Sequence, residues 1–148
     1  MILSILPDID VIGFKIGIPY QHMLGHRGIT HSILFAILLS GIISRFFSHS
    51  FKENIFPIWV YLFFCTLSHG LFDALTDGGL GIAFFAPFSN ERYFFPVRPI
   101  EVSSLTISHF FSSHGISVLK SEFLFLWIPC IFLWGVNRLV VKSRKKHN

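Results

Sequence analysis

Three long apolar stretches, each bounded by polar or helix-stopping residues, dominate the chain. They cover residues 29–47, 55–76 and 121–141. As helices rising 1.5 Å per residue, stretches of ~19–22 residues match a bilayer hydrocarbon core about 30 Å thick. Thr30 and Ser32 can cap the first, because a hydroxyl there accepts from a free N–H of the first turn. Asp77-Gly78-Gly79 is a stop for the second, since glycine takes the left-handed conformation past a helix end. Pro129 and Gly135 interrupt the third, where a membrane helix tolerates them as a kink.

A connector, residues 77–120, separates the second and third stretches. Gly79-Leu80-Gly81 and Pro87-Phe88-Ser89-Asn90 read as turns. Residues 80–88 are apolar but too short to span, which predicts a re-entrant or interfacial segment. Residues 93–99 carry interface aromatics, and 105–119 suit a short amphipathic helix. Residues 1–6 are apolar and read as the tail of a helix that begins upstream. The expected fold is all-α: a polytopic membrane protein of about three transmembrane helices plus that connector. It forms a single membrane-embedded domain over 1–148, ending in a basic tail at 142–148.

Composition supports this. Apolar residues make up 52% and charged residues 14%, against roughly 25% charged in a typical soluble domain. The mean hydropathy is +0.63. A disordered chain is excluded, and a water-soluble globule lacks the polar surface it needs. The net charge is +4, but the basic residues cluster as Arg138, Lys142, Arg144, Lys145 and Lys146 rather than along a face. That pattern fits membrane lipids as the partner, not nucleic acid. Together with Arg45 and Lys52 it puts the tail in the cytoplasm by the positive-inside rule. Cys65 and Cys130 sit inside apolar runs and read as small fillers.

Ionisable groups beside apolar helices are costly and therefore informative. His69 and Asp73, four apart, share one helix face near the end of the second stretch. His26 and His31 stand at the start of the first. An antiparallel hairpin brings all four to one membrane surface, within reach of Asp8 and Asp10. The mixture of imidazole and carboxylate favours Zn²⁺, with Mn²⁺ or Fe²⁺ as alternatives, and more than one ion could be held. Spacing alone leaves a metal site and a plain hydrogen-bonded network as equal readings.

The motifs that carry this chemistry are Leu6-Pro7-Asp8-Ile9-Asp10, Gly25-His26-Arg27-Gly28-Ile29-Thr30-His31-Ser32, Leu67-Ser68-His69-Gly70-Leu71-Phe72-Asp73 and Pro87-Phe88-Ser89-Asn90-Glu91-Arg92. In this order the chain resembles the YdjM-type family of inner-membrane, metal-dependent hydrolase-like proteins, most closely its YbcI branch. The resemblance extends over essentially the whole chain. It implies a bacterial inner-membrane location, a helical fold and a divalent metal. It also implies that the first family helix, with its Thr-His pair, is truncated here. A more distant similarity, to zinc-dependent phospholipase C, points towards phosphoesters of lipid-like substrates.

The expected site takes Asp10, His31, His69 and Asp73 as metal ligands, with His26 and Asp8 as further ligands or their partners. Asp8 or Asp77 would accept a proton from the attacking water. Arg27 and Arg92 would hold an anionic substrate group. Gly25 and Gly28 would let the loop turn tightly, and Thr30 and Ser32 would serve as caps. The alternative is a non-catalytic or degenerate metal-binding membrane protein. A metal or proton transporter fits less well, because the ionisable residues gather at one end of the helices.

Overall fold

The computed structural model describes residues 2–102 and 111–147. The chain divides into two compact units, Met1–Val97 and Arg98–Asn148.

The first unit opens with two 3-10 turns, Ile2–Ser4 and Leu6–Val11, running into a short helix α1 (Ile12–Lys15). Pro7 stands in the first turn of the second, where its fixed φ suits a helical start and its missing N–H is not needed. After a loop and a third 3-10 turn, Ile29–His31, come the long helices α2 (Ile33–Phe51) and α3 (Ile55–Asp73). Helix α2 begins four residues later than the apolar pattern predicted. Ser32 is extended and caps it, its Oγ accepting from Phe35 N at 3.0 Å. Thr30 is not the cap. Lys52, left-handed at φ 55°, ends α2, and Asn54 caps α3 by accepting from Phe56 N at 3.0 Å.

Helices α2 and α3 form an antiparallel hairpin whose seam is built from small residues. Ala36, Ser40 and Ser44 recur every four positions on α2, and Thr66 and Gly70 lie buried on α3. Small side chains let two apolar helices approach closely where no water drives them together. The serine hydroxyls bond back to Ile37 O and Gly41 O, so no polar group is stranded. Ile42, Phe46, Tyr61 and Phe64 are exposed around the outside, as lipid-facing side chains are. Helix α3 stops at Asp73 rather than at 76, because Thr76 Oγ1 donates to Asp73 O at 2.7 Å and the chain turns away.

Residues 74–97 form no helix. Ile82 and Tyr93 exchange backbone hydrogen bonds of 2.9 and 3.0 Å, and Phe95 N donates to Ala74 O. Within the apolar 80–88 run, Ile82, Ala83 and Ala86 are buried while Phe85 and Phe88 are exposed. Ile33 N donates to Phe84 O, so this run covers the start of α2.

In the second unit, residues 113–147 form one continuous helical run: α4 (Ser113–Glu122), a π turn (Phe123–Trp127) and α5 (Ile128–His147). It starts eight residues before the expected position, and the 105–110 part of the expected amphipathic helix lies outside the described residues. The irregularity expected at Pro129 falls just ahead of it. Ile128 N reaches back five residues to Phe123 O. Widening the turn there accommodates a proline ring that would clash with the preceding turn. Three helices, Ile33–Phe51, Ile55–Asp73 and Ser113–Leu139, are long and apolar enough to cross a membrane.

Candidate metal centre

Three segments meet at the end of the α2–α3 hairpin where α2 starts and α3 finishes. The Leu6–Val11 turn brings Asp8 and Asp10. The loop 25–31 brings His26, Arg27, Thr30 and His31. The last turn of α3 brings His69 and Asp73. Helix α3 can come this close because residue 70 is glycine: a Cβ there would lie 3.1 Å from His31 O.

His31 is the hub, with its side chain wholly buried. Its Nε2 lies 3.5 Å from Asp8 Oδ1 and 3.3 Å from Asp73 Oδ2. His69 Nε2 lies 3.1 Å from Asp8 Oδ1 and 3.5 Å from Asp73 Oδ2. These four donor atoms all fall within 4.8 Å of one another. Both imidazole Nε2 atoms are buried and have no hydrogen-bond partner. Their contacts with the carboxylates are close but do not have hydrogen-bond alignment. Buried polar atoms left this way are costly. Four donors separated by 3.1–3.5 Å along neighbouring edges fit a divalent ion, since tetrahedral ligands at ~2.0–2.2 Å from a common centre lie about 3.3–3.6 Å apart. The donor set therefore fits a transition metal, and it does not select which one.

The other face of His31 is held differently. Its Nδ1 lies 3.2 Å from Asp10 Oδ2. Asp10 also receives Thr30 Oγ1 at 2.6 Å and the backbone N–H of Arg27 at 3.1 Å, and its Oδ1 lies 2.7 Å from His26 Nδ1. A carboxylate behind a metal-facing imidazole fixes its tautomer and orientation. Asp10, His26 and His31 form a second group of neighbouring donor atoms, but there Asp10 already has hydrogen bonds to His26, Thr30 and the Arg27 N–H, and His31 Nδ1 has one to Thr30 Oγ1.

These surroundings polarise the cluster. Burial tends to raise the carboxyl pKa of Asp8, but the His31 and His69 rings overrule it and hold Asp8 well below the usual carboxylate range. Asp10 is held equally low against burial by His26, His31 and Thr30. For His31, burial works downward, while the carboxylates of Asp10, Asp73 and Asp8 push it up to about 10.

Both arginines expected to hold substrate are engaged with the chain. Arg27 is buried; its Nη1 donates to Gly78 O at 2.8 Å and its Nη2 to Thr76 Oγ1 at 3.1 Å, with Asp73 Oδ1 at 3.5 Å. Arg92, half-buried, donates to the carbonyls of His26, Gly81, Tyr20 and His22 at 3.0–3.4 Å and packs over the Tyr20 ring. Asp77 lies exposed on the turn after α3, outside both donor groups. The sequence reading missed Thr30 and Thr76 as partners of this network. The only signal for Thr30 was its place directly before His31.

Residues 1–145 match the family described as YdjM inner membrane protein. The chain is 36% identical over 136 residues to the inner membrane protein YbcI of Escherichia coli (strain K12), covering 92% of this chain and 79% of the relative. No solved structure matches. With three apolar spans and a match along nearly its full length, the chain belongs to the YdjM family of inner membrane proteins.

Proposed function

We propose that Asp8, His31, His69 and Asp73 hold a divalent metal ion, Zn²⁺ first among the choices, and that the centre hydrolyses an ester or phosphoester of a lipid-like substrate. The observation that carries this is the pair of buried Nε2 atoms without hydrogen-bond partners, each facing the same two carboxylates. A bound ion of this kind acidifies water towards neutrality and polarises the bond to be cleaved. The rest of the chemistry belongs to the chain. Asp10 and Thr30 keep the His31 ring oriented through Nδ1. Asp8 is the most exposed member, with 42% of its side chain accessible, so water and substrate reach the centre from its side. Its second carboxylate oxygen, open to the same side, takes the proton of the attacking water. The water oxygen bonds to the acyl carbon or phosphorus, the ester bond breaks, and the same proton passes to the departing alkoxide. Arg27 and Arg92 act here as holders of the loop, because their terminal nitrogens are spent on chain oxygens.

The test is metal content by elemental analysis of protein purified in mild detergent, beside His69→Ala and Asp73→Ala. About one ion per chain in the parent, lost from both variants, is the expected result. Turnover of a panel of chromogenic esters and phosphodiesters is then measured. Full metal loading without turnover of any of them would replace the enzyme reading with that of a non-catalytic metal-binding membrane protein. A parent that stays metal-free after refilling would overturn the centre itself.

A further inference from the structure

An open cavity of about 500 Å³ lies against the outside of the metal centre, lined by Ile5, Leu6, Asp8, Ile9 and Ile12. Four of these five are branched aliphatic residues. The fifth is Asp8, whose Oδ1 is one of the four donor atoms. Leu6, Ile9 and Ile12 follow one another at intervals of three, and a 3-10 turn of three residues per turn stacks such positions into one ridge. Ile5, Ile9 and Ile12 are each more than half exposed. So much apolar surface in a short non-spanning segment is unfavourable in water. The segment also adjoins a candidate span. The Ile2–Ser4 and Leu6–Val11 turns pack against α3, and the adjoining end of that helix carries exposed Leu71 and Phe72. An apolar trough beside a candidate span, with a single carboxylate in its lining, matches a molecule with a hydrocarbon chain and a polar linkage.

We infer that the trough formed by Ile5, Leu6, Ile9 and Ile12 binds the hydrocarbon chain of a bilayer lipid and delivers the lipid's ester or phosphoester linkage to Asp8. The delivery step rests on the hydrolase reading; the occupancy of the trough does not. The chain-length preference of the site is then set by residues outside the metal centre. Asp8 marks the boundary, and the linkage sits within a few bonds of the start of the chain.

The test uses the full chain in vesicles of phosphatidylethanolamine and phosphatidylglycerol, with a trace of phosphatidylglycerol carrying a diazirine on its acyl chain. After illumination, labelled peptides are mapped by mass spectrometry, and metal content is measured on the same samples. Labelling of the 5–12 segment above the level seen on the lipid-facing side of α2 is expected. Ile9→Trp, which fills the trough with an apolar group, should reduce that labelling at least fivefold while leaving metal content and α2 labelling unchanged. Ile12→Glu should do the same through charge. Labelling of 5–12 no higher than that of α2, or unaltered in Ile9→Trp, would overturn the proposal. Absent labelling with full metal loading would sink the trough alone. Specific labelling in a metal-free parent would sustain the trough and sink the hydrolase reading alone.

Discussion

Arg27 ties the two sides of the donor network together from one position. Its backbone N–H holds Asp10 while its guanidinium reaches Asp73, Thr76 and Gly78 O. To do so it adopts φ 62°, a left-handed conformation that costs a non-glycine residue about 1–2 kcal/mol. Arg27→Ala keeps that cost and removes the guanidinium bonds, so it should lower stability by about 2–3 kcal/mol and metal affinity at least tenfold. Arg27→Gly should lose as much metal affinity but about 1 kcal/mol less stability, since glycine accepts this φ freely. Metal titration and thermal unfolding in detergent separate the two. Equal stability of the Ala and Gly variants would mean that the backbone conformation is not strained. His31 gives the pH dependence. Its pKa stands at about 10 against an ordinary 6.5, so the metal-free fold is stabilised by its protonation. That contribution is complete below about pH 6.5 and is lost as pH rises through 10, at up to about 1.4 kcal/mol per pH unit. Asp8 and Asp10 work in the opposite direction: their depressed pKa values stabilise the fold above the ordinary carboxylate range and fail only in strong acid. Chelator-treated protein should therefore unfold at steadily lower temperature from pH 7 to pH 10. His31→Gln should flatten that slope.

The Leu6–Val11 turn explains why two carboxylates two residues apart do different work. In a 3-10 turn, successive residues are rotated by about 120°, so Asp8 and Asp10 face different directions and meet His31 at Nε2 and Nδ1 respectively. The sequence reading takes Asp10 as a ligand and Asp8 as a further ligand, a partner or the proton acceptor, and the Asp-x-Asp spacing does not show which carboxylate meets which nitrogen. What was legible came from topology and spacing. His69 and Asp73 share a helix face, His31 precedes the next span, and a hairpin brings them level. The boundaries were less so, because Ile29, continuous with the apolar run, belongs to a 3-10 turn instead. Thr30 read as a cap, and only the extended conformation of Ser32 reassigns that duty and frees the Thr30 hydroxyl for Asp10. The roles of Arg27 and Arg92 depended on which carbonyls surround them, and no spacing rule shows that. The loop they hold has no spare room: a Cβ on Gly28 would lie 2.1 Å from Met23 O and 2.7 Å from Gly25 O. Both neighbours are backbone, so Gly28→Ala must displace the loop that carries His26 and His31. It should abolish metal loading even if the α2–α3 hairpin persists. Elemental analysis beside far-ultraviolet circular dichroism checks this, and normal loading would show that the loop yields more easily than its packing implies.

At the scale of the whole molecule, the distribution of charge predicts which side of the membrane the centre faces. Helices α2 and α3 are antiparallel, so the metal centre and the Lys52–Glu53–Asn54 loop lie at opposite ends of the hairpin. The third candidate span ends near Leu139 and is followed by Lys142, Arg144, Lys145 and Lys146. Between Asp73 and Ser113, no described segment is long and apolar enough to cross. The positive-inside rule predicts that the Lys52 loop and the basic tail both lie on the cytoplasmic side. On that expectation the centre, its exposed Asp8 and the adjoining apolar trough face the outer side of the membrane. In a Cys65→Ser, Cys130→Ser background, Asn90→Cys should react with a membrane-impermeant maleimide in intact cells, and Glu53→Cys only after lysis. An alkaline phosphatase fused to the C-terminus, active only when exported, should be inactive. Reversing the four tail charges to glutamate should remove the bias and give labelling at both positions, because the remaining cations are then Arg45, Lys52 and Arg138 on the expected inner side against Lys15, Arg27, Arg92, Arg98 and Lys120 on the outer. Labelling of Glu53→Cys in intact parent cells would invert the orientation and place the substrate in the inner leaflet, where a different set of lipids meets the centre.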